Sequence, residues 1–98
     1  MHPIVSISVV TWNSLPYIER CLDHIYGQKG ISIEVIISDN NSSDGTLNFL
    51  RNQTGIILIE HKVNTGFSFA HNQAIKKSSG EFILIQNPDV FLLSLIHI

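Results

Sequence analysis

The stretch Ile4-Val5-Ser6-Ile7-Ser8-Val9-Val10-Thr11-Trp12-Asn13-Ser14-Leu15-Pro16-Tyr17-Ile18-Glu19-Arg20-Cys21-Leu22-Asp23-His24-Ile25-Tyr26-Gly27 decides the fold. Ile4–Val10 is a short apolar run rich in β-branched residues, bounded by a polar turn, and reads as a strand. After that turn, Ser14 can cap a helix and Pro16 suits its first turn. Leu15, Ile18, Leu22 and Ile25 recur at i, i+3, i+7 and i+10, the spacing of one helical face. Gly27 and Gly30 then end the helix.

The same alternation repeats along the chain. Ile33–Ile37, Ile56–Ile59 and Phe82–Ile85 are further apolar β-rich runs. A second helix is expected from Gly45 to Asn52, with Leu47 and Leu50 inward and Asp44 near its positive end. A third is expected from Ser68 to Lys77, with Ala70, Ala74 and Ile75 as a narrow apolar stripe and Ser78-Ser79-Gly80 as its stop. Strand, helix, strand, helix, strand, helix, strand is the βαβαβαβ order of an α/β protein: a parallel sheet of about four strands. The strands are nearly continuous Ile and Val, as expected where helices cover both faces.

Composition narrows the function. The 98 residues, 44% hydrophobic and 14% charged, make one small domain that wants a core. Six Lys and Arg against eight Asp and Glu give a net charge of −2, which excludes a strongly basic nucleic-acid binder. The single cysteine, Cys21, rules out an internal disulfide and a Cys-based zinc site, and fits a reducing compartment. Met1-His2-Pro3 lacks the basic start of a signal peptide, and the apolar runs are far shorter than the roughly 20 residues that span a bilayer. A cytoplasmic location is therefore expected. His2, His24, His61, His71 and His97 show no H-E-x-x-H or paired spacing, so surface or loop roles are expected rather than ligation.

In an open parallel sheet, ligands bind beyond the carboxyl ends of the strands, near a switch in strand order. The segments at those ends are Thr11-Trp12-Asn13, Ser38 to Thr46, His61 to Phe67, and Gln86-Asn87-Pro88-Asp89. Each is dense in side-chain donors, acceptors or carboxylates. After the first strand there is neither G-x-G-x-x-G nor G-x-x-x-x-G-K-[ST], so a dinucleotide fingerprint and a P-loop are both missing. A divalent cation is the usual substitute for neutralising phosphate oxygens, and oxygen ligands such as Asp89 and Asn87 suit Mg²⁺ or Mn²⁺. On the residues alone, Asn87-Pro88-Asp89 is equally a plain turn closing the fourth strand. Trp12 is either a packed aromatic beside the first helix or an exposed stacking face. Asp39 to Gly45 also reads as a polar turn, in which Asn41, Ser42 and Asp44 make turn and capping bonds.

Four blocks together carry a family resemblance. Thr11-Trp12-Asn13 followed by Leu-Pro-Tyr-Ile-Glu-Arg-Cys-Leu resembles the opening of family 2 glycosyltransferases. Ser38-Asp39-Asn40-Asn41-Ser42-Ser43-Asp44-Gly45-Thr46 is similar to their Asp-rich loop ending in Ser-x-Asp-Gly-Thr. Asn64-Thr65-Gly66-Phe67, Asn72-Gln73-Ala74-Ile75 and Gly80-Glu81-Phe82-Ile83-Leu84 then lead to Asn87-Pro88-Asp89. These last blocks resemble the rhamnosyltransferase-like branch, where Asn-Pro-Asp stands at the metal-binding Asp-x-Asp. The resemblance runs from Ile4 to Val90.

The resemblance implies a GT-A α/β domain of which residues 1–98 are a single, partial, N-terminal nucleotide-sugar-binding piece. It implies that Thr11 contacts the nucleotide base and that Trp12, where the family more often has Tyr, stacks on it, with Asn13 in the same turn. It implies base and ribose contacts from Asp39 and Asn40, although Asn40 stands where Asp is commoner. Gly66 and Asn72 would face the donor, and Asn87 and Asp89 would hold Mg²⁺ or Mn²⁺. The implied activity is inverting transfer from a nucleotide-diphosphate sugar, dTDP-rhamnose for that branch, to a saccharide or lipid-linked acceptor. Peripheral membrane association would belong to the full-length protein only. No residue is nominated as catalytic base, which the family keeps downstream of the metal motif and so beyond residue 98. The chain is expected to be inactive alone, and an uncovered sheet edge would make it prone to aggregate. A non-catalytic α/β nucleotide-binding or interaction module is the alternative.

Overall fold

A computed structural model describes residues 4–27 and 30–86. The order is β1 (Val5–Thr11), α1 (Leu15–Tyr26), β2 (Ile33–Asp39), α2 (Thr46–Arg51), β3 (Ile56–Glu60), α3 (Phe67–Lys77) and β4 (Phe82–Gln86). All strand pairs are parallel, in the spatial order β3-β2-β1-β4. The expected α/β architecture is therefore the one found. Each strand runs one or two residues beyond its apolar run, because the hydrogen-bond ladder continues through polar ends such as Thr11 and Asp39, which pair in register.

Helices cover both faces. On one face, Ile7, Val9, Val35 and Ile37 of the central strands pack with Ile18, Cys21, Leu22 and Ile25 of α1 and Leu50 of α2. Burying each large aliphatic side chain contributes on the order of 1.5–3 kcal/mol, so this layer supplies most of the stability. On the other face α3 lies across β1 and β2 through Ala70 and Ala74. There β1 is not continuously apolar. Ser6 and Ser8 alternate inward with Val10, and both serines are buried. The small residues let α3 approach closely.

Three expectations change in detail. Ser14 occupies the N-cap position of α1 but makes no side-chain cap; its hydroxyl accepts from the Trp12 amide at 3.1 Å and donates to the Trp12 carbonyl at 3.2 Å. Leu15 is 42% exposed, and Cys21 takes the inward place instead. Leu47 is only half-buried, while Leu50 is in the core.

His71 is not a surface residue. It is buried on α3, with Nδ1 2.7 Å from Ser8 Oγ and its ring edge-on to Phe67 at 4.3 Å. Its Nε2 has no hydrogen-bond partner among the described residues. Burial pushes the imidazole below its ordinary pKa. The unfolded chain therefore gains a proton there near pH ~6.5, before the native state does. This residue's contribution is fully present above that pH and is lost as pH falls through the lowered native value. Melting is expected at a lower temperature at pH 5 than at pH 7, with a flatter dependence in His71→Gln. Identical slopes in the two proteins would refute the assignment.

Candidate functional site

α1 and α2 lie on one face and α3 on the other, so the direction of winding reverses between β1 and β4. The carboxyl ends of those two strands are the switch point. Thr11, at the end of β1, is fully buried and donates to Asp39 Oδ1 at 2.6 Å. Asp39, at the end of β2, is equally enclosed; its carboxylate also accepts from Ser42 Oγ at 2.6 Å and from the Ser42 amide at 3.0 Å. The buried charge is thus met by three donors, as burial of a carboxylate requires.

The turn after β1 is stitched to the loop after β2. Asn13 has a positive φ of 48°, tolerable for Asn, and its amide donates to Ser42 Oγ at 2.9 Å. Its side-chain oxygen accepts from the Ser43 amide at 2.8 Å. The Ser14 amide donates to Thr46 Oγ1 at 2.9 Å, and Thr46 in turn hydrogen-bonds Asp44 Oδ1 through both its hydroxyl and its amide. Asp44 Oδ2 accepts from the Leu15 amide at 3.2 Å, so one carboxylate serves the first turns of two helices. Desolvation raises the Asp44 carboxyl, but hydrogen bonds from Thr46 and Leu15 outweigh it and hold the group below its ordinary value. Gly45 has a φ of 98°, which a side chain adopts only under strain. Ser42, Asp44 and Gly45 are turn and capping residues, in agreement with the polar-turn reading of their sequence.

A third segment joins the rim. The Asn40 amide donates to the Thr11 carbonyl at 2.8 Å, and its side chain bonds Thr65 and Gly66 after β3. Nearby, His61 Nε2 lies 2.6 Å from Ser38 Oγ, and its ring meets Phe69 edge-on at 6.0 Å.

Thr11, Trp12, Asn13, Asp39, Asn40 and Gly66 are therefore brought together at one end of the sheet. Within that group, Thr11, Asp39 and Asn40 are enclosed, whereas the Trp12 side chain is 57% exposed and so is not a packed core aromatic. Asn72 is exposed on α3 and makes no hydrogen bond to this network among the described residues. Asn87 and Asp89 lie outside the described residues; in the sequence they come just after Gln86, the last residue of β4. Among the described residues no cluster of three His, Cys, Asp or Glu side chains is placed to hold a metal. Sequence patterns do not single out Thr65 or the inward His71, the latter signalled only by its place between Ala70 and Ala74.

Comparison with known proteins agrees with this fold. The chain is 32% identical over 93 residues to a chondroitin synthase of Pasteurella multocida, a match covering 92% of the chain and 10% of that protein. It superposes on Staphylococcus aureus TarS 1-349, also solved with UDP and with UDP-GlcNAc, with a TM-score of 0.81 and 30% identity over 90% of the chain and 28% of TarS. On the mannosyltransferase PcManGT of Pyrobaculum calidifontis, in complex with GDP-Man and Mn²⁺, the TM-score is 0.84 at 31% identity, over 95% of the chain and 29% of that enzyme. The chain thus spans between a tenth and a third of these proteins. Residues 6–94 match the profile described as glycosyl transferase family 2. The parallel sheet, with its carboxyl-end rim laced by Thr11, Asp39 and Asn40, matches that profile over nearly its whole length, and the match establishes that this chain belongs to glycosyl transferase family 2.

Proposed function

We infer that the chain is the donor-binding part of an inverting glycosyltransferase, taking a nucleotide-diphosphate sugar at the rim between the Trp12 turn and the start of α3. The observation that carries this reading is the exposed Trp12 ring, set on a turn whose every neighbour is fastened by hydrogen bonds. A preorganised aromatic face suits a nucleobase, and stacking contributes on the order of 1–3 kcal/mol per base. Asp39 and Thr11 hold the turn from beneath; direct contact of Asp39 with a base requires the 40–43 segment to open. Asn13 and Asn72 supply polar side-chain groups towards the ribose and sugar, while Gly66, whose amide and carbonyl are already bonded, faces the donor without a side chain.

Asn87 and Asp89 offer one amide and one carboxylate oxygen donor, which fits Mg²⁺ or Mn²⁺ and not a soft metal. A cation held by Asn87 and Asp89 would neutralise charge on the leaving diphosphate. With one carboxylate between them, the two residues would hold it weakly on their own. Solved neighbours with UDP, UDP-GlcNAc, or GDP-Man and Mn²⁺ support the donor class. The acceptor is a saccharide or a lipid-linked molecule, the former in line with a relative named as a chondroitin synthase. dTDP-rhamnose remains a donor to be tried.

Trp12 is the single tryptophan, so its fluorescence reports occupancy. Titration of the chain with UDP, GDP and dTDP, each with and without Mn²⁺, is expected to quench it in a metal-dependent manner for at least one nucleotide. Trp12→Phe, followed by calorimetry, is expected to retain binding, whereas Trp12→Ala weakens it roughly 5- to 150-fold. Asp89→Ala is expected to abolish the metal dependence. Absence of binding by all three nucleotides with Mn²⁺ or Mg²⁺ overturns the reading.

A further inference from the structure

The Asn40 side chain is 2% exposed and makes three hydrogen bonds. Nδ2 donates to the Gly66 carbonyl at 3.1 Å, while Oδ1 accepts from the Thr65 amide at 3.1 Å and from Thr65 Oγ1 at 2.8 Å. A side-chain amide donates through its nitrogen and accepts through its oxygen at two separate atoms, without titrating. A carboxylate would keep both Thr65 bonds but turn a bare oxygen towards the Gly66 carbonyl.

What this clip holds is a piece of chain in a conformation reserved for glycine. Gly66 sits at φ 86° and ψ 164°, a region essentially closed to residues with a side chain. A Cβ there would meet no atom within 4 Å, so the constraint is one of torsion and not of space. Asn64 Oδ1 accepts from the Gly66 amide at 2.9 Å, and the Gly66 carbonyl accepts from the Ala70 amide at 3.3 Å, closing the first turn of α3. Through its own amide Asn40 is bonded to the Thr11 carbonyl, one residue before Trp12.

We propose that Asn40 is a positioning residue that sets the distance between the Trp12 turn and the start of α3, and hence the width of the donor groove. It acts by clipping Thr65 and Gly66 to the end of β2. This rests on the donor-binding reading above. It replaces the direct base or ribose contact that resemblance implied for Asn40, since neither its side-chain oxygen nor its nitrogen faces solvent. Its amide identity is the feature that matters: a carboxylate works here only when protonated.

The test is amide hydrogen exchange on the labelled chain, with Ile7 and Ile36 reporting the sheet, and each variant compared with wild type at the same pH. Asn40→Ala is expected to lower protection of the Thr65 amide tenfold or more while Ile7 and Ile36 change less than twofold. Thr65→Val, at the loop end of the clip, should reproduce a smaller part of that loss if Asn40→Ala folds poorly. Asn40→Asp is expected to lower protection of Ala70 at pH 7 and to regain it towards pH 4.5, a profile absent from the other variants. Equal loss at Thr65, Ile7 and Ile36, or an Asn40→Asp profile parallel to wild type, overturns the proposal.

Nucleotide titration separates this from the donor reading. With the wild type binding, Asn40→Asp is expected to weaken affinity about tenfold at pH 7; unchanged affinity in a variant whose loop has loosened overturns the positioning role. With a wild type that binds no nucleoside diphosphate, the donor reading fails, and the exchange arm still decides whether the clip exists.

Discussion

Asp39→Ala is expected to destabilise the chain by about 3–5 kcal/mol, because it strands buried donors and not merely one contact. Thr11 Oγ1, Ser42 Oγ and the Ser42 amide all end on this carboxylate, and Thr11 is fully enclosed. Hydrogen bonds to a charged group contribute about 1.5–3 kcal/mol each, and a buried hydroxyl left without an acceptor costs about 1–3 kcal/mol. The loss also propagates. Ser42 Oγ is the acceptor for the Asn13 amide, so the Trp12 turn loses its footing together with the loop. A domain of this size has only roughly 5–15 kcal/mol in hand. Asp39→Asn is expected to fall between, since an amide oxygen in place of Oδ1 still accepts from Thr11 and Ser42 Oγ but the NH2 then faces the Ser42 amide. Urea unfolding of the three proteins measures this directly. An unfolding free energy for Asp39→Ala within about 1 kcal/mol of wild type would mean that the carboxylate does not organise the rim.

Gly80→Ala is expected to cost about 3 kcal/mol at the opposite end of the sheet, near the upper end of overpacking penalties. A Cβ at Gly80 would lie 2.6 Å from Ser6 Oγ, 2.7 Å from the Ser6 nitrogen and 3.1 Å from the Val5 carbonyl carbon. Two of those three atoms are backbone of the central strand, which cannot yield as a side-chain tip can. The same approach is used productively in the native chain. The Gly80 amide donates to Ser6 Oγ at 2.8 Å, Ser6 Oγ donates to Glu34 Oε1 at 2.8 Å, and Glu34 also accepts from the Ser79 amide and hydroxyl. This joins the α3–β4 connection to β1 and β2. Ser6→Ala in the Gly80→Ala background is expected to recover only part of the loss, because the Ser6 nitrogen remains in the way. Full recovery in that double variant, measured by chemical denaturation, would place the clash on the hydroxyl alone.

Much of this architecture is legible in the sequence, and the departures have specific causes. Strand ends inferred from apolar runs fall one or two residues short because Thr11, Asp39, Glu60 and Gln86 are polar, and an apolar pattern stops where the hydrogen-bond ladder does not. Helical spacing points Leu15 inward, yet in the first turn of α1 it projects past the sheet and packs over Gly45, whose added Cβ would meet Leu15 Cδ2 at 3.3 Å. His71 escapes notice because counting apolar residues along α3 ignores a partner face made of serine. Family resemblance makes Asp39 and Thr11 ligand contacts; their enclosure is a property of the loop that folds over them, which no spacing rule contains.

By itself, the order of residues determined the layered α/β fold and the end of the sheet at which polar loops gather, because hydrophobic period and turn chemistry are local and additive along the chain; the family resemblance was carried by the motif blocks. Only the tertiary structure decided which polar side chains are bonded to one another and which stay open to solvent. Asn40 and Trp12 are both plausible contacts in the sequence, but one is sealed by Thr65 and Gly66 and the other stands open. The difference arises from residues far apart in the chain and close in space, where a hydrogen bond, once made, removes a group from the surface.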